Sequence, residues 1–234
     1  MEEKMVETKL YIARHGKTMF NTIGRAQGWS DTPLTELGEQ GIKELGLGLK
    51  LAEIPFKAAY SSDSGRTIQT MEIILRETHN EYLPYKRDKR IREWCFGSLD
   101  GGYDGELFFG VLPRTKAFEG GKTVKDVTYP ELAQSIVEVD TAGWAESWEV
   151  LSERIWDGFI AIAKEMEASG GGNAIIVSHG MTINTFLWLI DNNREKLSLD
   201  NGSISAVSFK DGKFTIEAIG DMSYRQAGQE LLEK

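Results

Sequence analysis

The stretch LYIARHGKT (residues 10–18) joins a short apolar run to an arginine, a histidine and a glycine. A second stretch, AIIVSHGMT (residues 174–182), repeats much of this order far along the chain. Each apolar run is short and rich in β-forming residues, which favours a buried strand. The chain has 3 histidines, and two of them therefore follow directly on predicted strands.

Strands and helices alternate along most of the chain, an order typical of an α/β fold with a mostly parallel sheet. Apolar residues spaced by three and four predict the helices, and short β-rich runs predict the strands. Two helices are predicted to begin near Thr35 and near Ser64, and two more are predicted to cover 148–166 and 181–190. The predicted strands cover 9–13, 57–62, 174–178, 203–209 and 213–219. The last two strands flank a Lys-Asp-Gly turn and are expected to form a hairpin.

The stretch from about 100 to 145 interrupts this alternation. It is rich in glycine and carries aromatic residues without a clear period. We interpret it as an irregular insertion that arches over the carboxyl edge of the sheet and the active site. The predicted fold is one domain over residues 1–234, a three-layer α/β/α sandwich with this insertion.

Composition limits the partners that the chain is expected to bind. Its 41% hydrophobic and 27% charged residues are ordinary for a soluble globular domain. A formal net charge of −9 argues against nucleic acid or an anionic membrane, because both require a basic surface. Cys95 is the single cysteine, so no disulfide within the chain is expected. The first residues lack the apolar core of a signal peptide, which predicts a cytoplasmic protein. The sequence does not reveal its oligomeric state.

Basic side chains follow several predicted strands. Arg14 and His15 follow one strand, His179 follows another, and Arg66 falls in the first turn of the helix after a third. Ligands of open α/β sheets bind at the carboxyl ends of the strands. The glycine after each histidine, as at Gly180, lets the backbone approach an anion closely. Because the planar guanidinium group binds two phosphate oxygens at once, these residues predict a phosphate site.

The segment RHGKTMFNTIGRAQGWSDTPLTELG (14–38) resembles the signature of the histidine phosphatase superfamily, whose fold is called phosphoglycerate mutase-like. Four later blocks match in the same order: YSSDSGRTIQT (60–70), IREWCFGSLDG (91–101), ESWEVLSER (146–154) and VSHG (177–180). Together they reach from residue 10 to about 190. Only the stretch at about 100–145 is poorly matched.

The resemblance implies a role for each matching position. His15 would be the nucleophile that attacks phosphorus and becomes a phosphohistidine. Glu93 would protonate the leaving oxygen and later deprotonate water or another acceptor. The phosphoryl oxygens would be held by Arg14, Arg66 and His179, with Asn21, Gln27 and Gly28 completing the pocket. The two arginines are also expected to disfavour a protonated His15, which leaves its imidazole able to attack.

A catalytic metal is not expected. Catalytic zinc usually has three protein ligands, often including a His-Glu-x-x-His pair, and the chain has no such motif. Arg14 beside His15 would also repel a dication. We therefore expect chemistry without a metal or other cofactor.

Three functions remain open at this point. The favoured one is hydrolysis of a small phosphorylated metabolite, a phosphomonoester, through phospho-His15. A phosphoglycerate mutase would use the same residues, but such mutases carry a Leu-Asn-Glu-Arg-His-Tyr-Gly block where this chain has IREWCFG (91–97). A phosphate-ligand sensor without catalysis is the third, although His15 and Glu93 are both present. The sequence does not identify the substrate.

Overall fold

The computed structural model describes residues 7–194 and 196–233. Its strands and α-helices are numbered below in chain order. The strands are β1 (Thr8–Arg14), β2 (Phe56–Ser61), β3 (Tyr85–Arg87), β4 (Gly172–Ser178), β5 (Ile204–Lys210) and β6 (Lys213–Asp221). The α-helices are α1 (Met19–Ile23), α2 (Glu36–Leu51), α3 (Gly65–Glu77), α4 (Asp104–Glu106), α5 (Tyr129–Val139), α6 (Trp148–Ala168), α7 (Gly180–Ile190) and α8 (Ser223–Leu232). In the described part of the chain, none of these helices has the length and apolar character needed to cross a membrane.

All six strands belong to one sheet in the order β3-β2-β4-β1-β5-β6. The pairs β3-β2, β2-β4 and β4-β1 are parallel, whereas β5 is antiparallel to both of its neighbours. The predicted hairpin is therefore the β5-β6 pair at one edge. The prediction of a mostly parallel sheet is confirmed.

Alternate residues of the central strands enter two separate cores. In β1, Leu10 and Ile12 pack into the core that α5, α6 and α7 cover, whereas Tyr11 and Ala13 face the core under α2 and α3. β4 alternates in the same way. A strand that is apolar on both faces is buried on both faces. The molecule is thus the predicted three-layer sandwich.

The interpretation of 100–145 as irregular is wrong for its last third, where α5 lies. Thr128 and Glu131 form a capping box around the start of this helix, and Pro130 lies in its first turn. Leu132 and Ile136 bury one face of it. The sequence Thr-Tyr-Pro-Glu carries that capping signal, so the helix could have been predicted.

The earlier part of this segment packs against the chain that follows α1. The amide of Asp104 donates to the carbonyl of Gly24 over 2.9 Å. The guanidinium carbon of Arg25 lies 4.1 Å from the ring centroid of Tyr103. These contacts place the segment next to residues 24 and 25, and its position over a bound substrate stays a prediction.

Candidate active site

His15 and His179 lie side by side at the carboxyl edge of the sheet. The register between β1 and β4 aligns Arg14 with Ser178, so both strands end at the same level of the sheet. The amide of His15 donates to the Ser178 carbonyl over 3.0 Å. The ring centroids are 5.3 Å apart, and the two residues are 3% and 0% exposed. The two His-Gly patterns therefore meet in one buried site.

The ring of His15 is held as a neutral imidazole. Its Nδ1 lies 2.8 Å from the carbonyl oxygen of Gly16. A carbonyl only accepts, so Nδ1 carries the hydrogen and Nε2 keeps a lone pair. Burial lowers the pKa of His15 well below its usual value, and the charges of Arg66 and Arg14 lower it further. The expected effect of the two arginines is present, but burial is the larger cause.

Arg66 is completely buried and joins three parts of the site. Its Nη2 donates to the carbonyl of Gly28 over 2.8 Å and to Nδ1 of His179 over 2.9 Å. Its Nη1 donates to the carbonyl of Ser30 over 2.9 Å and to Oδ1 of Asp31 over 2.8 Å. The planar fork of one guanidinium group thus fixes both the 28–31 loop and the second histidine.

Both ring nitrogens of His179 are engaged. Nδ1 accepts from Arg66, and Nε2 lies 2.7 Å from Oγ of Ser62. Since an arginine only donates, Nε2 carries the hydrogen and the ring is neutral. Burial is the main cause that lowers its pKa well below the usual value. A direct bond to a phosphoryl oxygen would replace one of these two bonds, so that role of His179 stays a prediction.

Two buried donors near the histidines have no hydrogen-bond partner within the described part of the chain: Nε of Arg14 and Nε of Arg66. Arg14 also donates through Nη1 to the carbonyl of Leu199. A side chain at Gly180 would place its Cβ 3.3 Å from Nε of Arg14, so glycine leaves the space beside this donor open. Buried donors without partners are costly, and an anion would satisfy them.

Glu93 is 6% exposed, and its carboxylate lies against the N-terminus of α7. Its Oε1 accepts from the Thr182 amide at 2.9 Å, the Thr182 hydroxyl at 3.0 Å and the Trp94 amide at 3.0 Å. Its Oε2 accepts from the amide of Met181 at 3.1 Å. A carboxylate is stabilised at a helix N-terminus. Oε2 thus accepts fewer hydrogen bonds than Oε1.

The other predicted pocket residues are used partly by the protein itself. Gln27 accepts from Thr18 at 2.6 Å and donates to Thr32 at 2.9 Å. The amide of Gly28 donates to Asp100 rather than facing open space. A Cβ at Gly28 would overlap the carbonyl oxygen of Trp94, so a glycine is required there. Of these two residues, Gly28 supports Arg66, through its carbonyl.

Several residues of the site were not singled out from the sequence. They are polar side chains that hold the predicted residues in place: Asp31, Ser62, Asp100, Thr182 and Asn201. Asp31, Ser62 and Asp100 stand inside the matching blocks and Thr182 two residues after one, whereas Asn201 lies in a loop with no motif. Their roles depend on contacts between distant segments, which spacing along the chain does not reveal.

Cys95 is buried, and burial raises the pKa of its thiol. A thiol in such surroundings is a poor nucleophile, so Cys95 is a packing residue rather than part of the chemistry. Among residues 7–194 and 196–233, no group of three or more His, Cys, Asp or Glu side chains is arranged to hold a metal ion.

The two neutral histidines predict a specific loss of stability in mild acid. Both have a lowered pKa in the folded protein, whereas an unfolded histidine has a pKa of about 6.5. Below that pH the unfolded state binds more protons. The free energy of unfolding should therefore fall as the pH is lowered from about 6.5 to 5, by up to about 1.4 kcal/mol per pH unit for each histidine. Urea unfolding at a series of pH values measures this slope.

The variant His15→Asn should remove about half of that slope, because one titrating ring is lost while a polar side chain remains. His79→Asn is the matched control, since it replaces an exposed histidine that contacts neither His15 nor His179. A slope that is equal in the wild type and in His15→Asn would contradict the prediction.

Comparison with known proteins agrees with this geometry. The sequence profile of the histidine phosphatase superfamily (branch 1) matches residues 10–222. The chain is 31% identical over 228 residues to the probable phosphoglycerate mutase GpmB of Escherichia fergusonii, covering 94% of this chain and 95% of that protein. A crystal structure of phosphoglycerate mutase from Bacillus anthracis superposes with a TM-score of 0.91 at 35% identity, covering 98% of this chain and 100% of the other. A phosphoserine phosphatase from Entamoeba histolytica shares the fold, with a TM-score of 0.70 at 23% identity over 93% of this chain and 99% of the other. The protein belongs to the histidine phosphatase superfamily, branch 1.

Proposed function

We propose that this protein is a phosphatase that hydrolyses a small phosphomonoester, without a metal, through a phosphohistidine on His15. One observation carries the proposal: the Nδ1 hydrogen of His15 is bound by the Gly16 carbonyl at 2.8 Å, which leaves a lone pair on Nε2. Burial keeps that nitrogen unprotonated by lowering the pKa of the ring. An activated nucleophile in a cationic pocket is what phosphoryl transfer requires.

In the first step, Nε2 of His15 forms a bond to phosphorus while the bond from phosphorus to the ester oxygen breaks. During this transfer negative charge is spread over the three equatorial phosphoryl oxygens, and cationic donors around them stabilise it. The buried Nε donors of Arg14 and Arg66 supply such charge. Arg66 is held rigid by four protein acceptors, so little reorganisation accompanies the step.

Glu93 is the proposed proton carrier. Protonated at Oε2, it gives its proton to the leaving oxygen, and the alcohol departs. The resulting carboxylate then takes a proton from water as that water attacks phosphorus, which releases phosphate and restores His15. Oε1 keeps its hydrogen bonds to Thr182 and Trp94 throughout, so the carboxyl group stays in place.

A phosphoglycerate mutase is the second candidate, because the relatives named above carry that name. The positions after Glu93 favour the phosphatase. Where the mutase block has arginine and histidine, this chain has Trp94 and Cys95, which are 2% and 6% exposed. The Trp94 indole donates to Thr185 inside the core over 3.0 Å. These positions therefore offer no cation to a second acidic group of the substrate.

The deciding experiment supplies the protein with 3-phosphoglycerate and 2,3-bisphosphoglycerate, and separately with p-nitrophenyl phosphate and a panel of phosphorylated metabolites at mildly acidic pH. We expect release of inorganic phosphate and an acid-labile phosphoprotein. Rapid formation of 2-phosphoglycerate with little phosphate release would make the protein a mutase. Absence of turnover on every substrate would favour a non-catalytic phosphate-ligand sensor.

A further inference from the structure

The loop of residues 199–203, between α7 and β5, is fastened to the end of β1. The amide of Gly202 donates to the carbonyl of Arg14 over 3.0 Å, and the amide of Arg14 donates to the carbonyl of Ser203 over 3.1 Å. The Arg14 side chain reaches the same loop at Leu199. The loop is therefore hydrogen-bonded directly to the segment that carries the proposed nucleophile.

Asn201 extends from this loop towards His15. Its Nδ2 donates to the backbone carbonyl of His15 over 2.8 Å. The other side of the same peptide group, the amide of Gly16, donates to the hydroxyl of Thr70 over 3.0 Å. The peptide plane between residues 15 and 16 is thus fixed from both sides. The next carbonyl along, that of Gly16, is the one that orients the His15 ring.

Asn201 also contacts the side chain of Asn21. The Oδ1 atom of Asn21 lies 3.4 Å from Nδ2 of Asn201 and accepts from the Thr18 amide at 3.2 Å. Two donors at Oδ1 fix which way the amide group faces. Within the described part of the chain no hydrogen bond uses Nδ2 of Asn21, so its two N–H groups remain able to donate to a phosphoryl oxygen.

The loop is supported from behind by α8. Arg225 donates through Nη1 to the carbonyl of Asn201 over 3.4 Å, and through Nε to Glu44 of α2 over 2.9 Å. These bonds link the last helix of the chain to the active site by way of one asparagine. They hold the backbone of Asn201 while its side chain faces the opposite way.

We infer that Asn201 is a positioning residue of the active site, which orients the His15–Gly16 peptide and the Asn21 amide together. The inference rests on the proposed function of His15 as the nucleophile. Without the Asn201 donor, the peptide between His15 and Gly16 loses one of its two hydrogen bonds. The Asn21 amide is then held at Oδ1 only by the Thr18 amide, so its rotation breaks a single bond. A shift of about 1 Å in a reacting group lowers rates about 100-fold.

The test compares Asn201→Ala and Asn201→Asp with the wild type. Aspartate keeps the size of the side chain but cannot donate when ionised, so it separates the hydrogen bonds from packing. We expect both variants to lower kcat with p-nitrophenyl phosphate about 10- to 100-fold, with a smaller change in KM. Asn184→Ala is the matched control. Asn184 also holds the segment between α7 and β5, because it donates to the Leu197 carbonyl over 2.7 Å, but it does not contact His15 or Asn21.

A double-mutant cycle with Asn21→Ala gives a readout that a general loss of stability would not produce. We expect the Asn201→Ala substitution to weaken orthovanadate binding in the wild-type background and to have a much smaller effect once Asn21 is absent. Equal effects in both backgrounds would overturn the inference, as would a loss in Asn184→Ala equal to that in Asn201→Ala. Orthovanadate binding does not require turnover. An inactive wild type would therefore disprove the proposed function, while the binding cycle would still decide the role of Asn201.

Discussion

Replacing His15 by asparagine is expected to lower kcat/KM for any accepted phosphomonoester by at least about 10⁴-fold, the range seen when a catalytic nucleophile is removed. The physical reason is that no other group takes its place. His179, 5.3 Å away between ring centroids, has both ring nitrogens engaged by Arg66 and Ser62. The measurement is initial-rate kinetics together with detection of acid-labile protein-bound phosphate.

The same substitution at His79 provides the control. His79 is exposed and follows α3 in a left-handed backbone conformation with φ of 56°, which asparagine adopts readily. His79→Asn should therefore keep wild-type turnover and wild-type stability. If His15→Asn retained more than about 1% of wild-type activity and still formed a phosphoprotein, the nucleophile would be another residue.

The convergence of the histidines could be predicted because it follows from local pattern and sheet geometry. The apolar runs before His15 and His179 predict strands, and parallel strands bring their carboxyl ends to one edge. The alignment of Arg14 with Ser178 then places the two rings together. The role of Glu93 as proton carrier comes from the resemblance to the family. The spacing of residues alone does not distinguish it from a solvated carboxylate.

The partners of these groups could not be predicted, because they come from segments far apart in the chain. Arg66 was expected to face the phosphate, but its contacts with Asp31 and His179 depend on how α3 lies against the 28–31 loop. The tautomer of His15 depends on one backbone carbonyl. Asn201 belongs to a loop whose path is set by α8, a helix that the sequence analysis did not predict.

The glycines of α2 illustrate how tertiary packing overrides local propensity. Glycine is unfavourable inside a helix, yet α2 contains four of them, at positions 38, 41, 46 and 48. A Cβ at Gly48 would overlap the carbonyl oxygen of Tyr224 in α8. Gly48 weakens the helix by itself, yet it permits the close contact between α2 and α8. Arg225 of α8 in turn holds the loop of Asn201 against the site.

Arg66→Ala is expected to lower kcat/KM by about 10²- to 10³-fold, as removal of a fixed donor to the transferring group does, and to lower the free energy of unfolding by about 1–3 kcal/mol. The stability loss arises because Arg66 is 0% exposed and its removal leaves the acceptors at Gly28, Ser30 and His179 without a donor. Urea unfolding and steady-state kinetics measure the two effects separately. Arg76→Ala, in the last turn of the same helix with a side chain 54% exposed, should change stability by less than about 0.5 kcal/mol.

Arg66→Lys separates the charge of this residue from its shape. A lysine ammonium keeps the positive charge beside Asp31, but it cannot span acceptors on both sides of a planar fork. We expect it to recover part of the lost stability and little of the lost activity, because the 28–31 loop and His179 would no longer be fixed by one group. Full recovery of kcat/KM in Arg66→Lys would mean that charge alone is sufficient and that the rigid network around Arg66 has no part in the reaction.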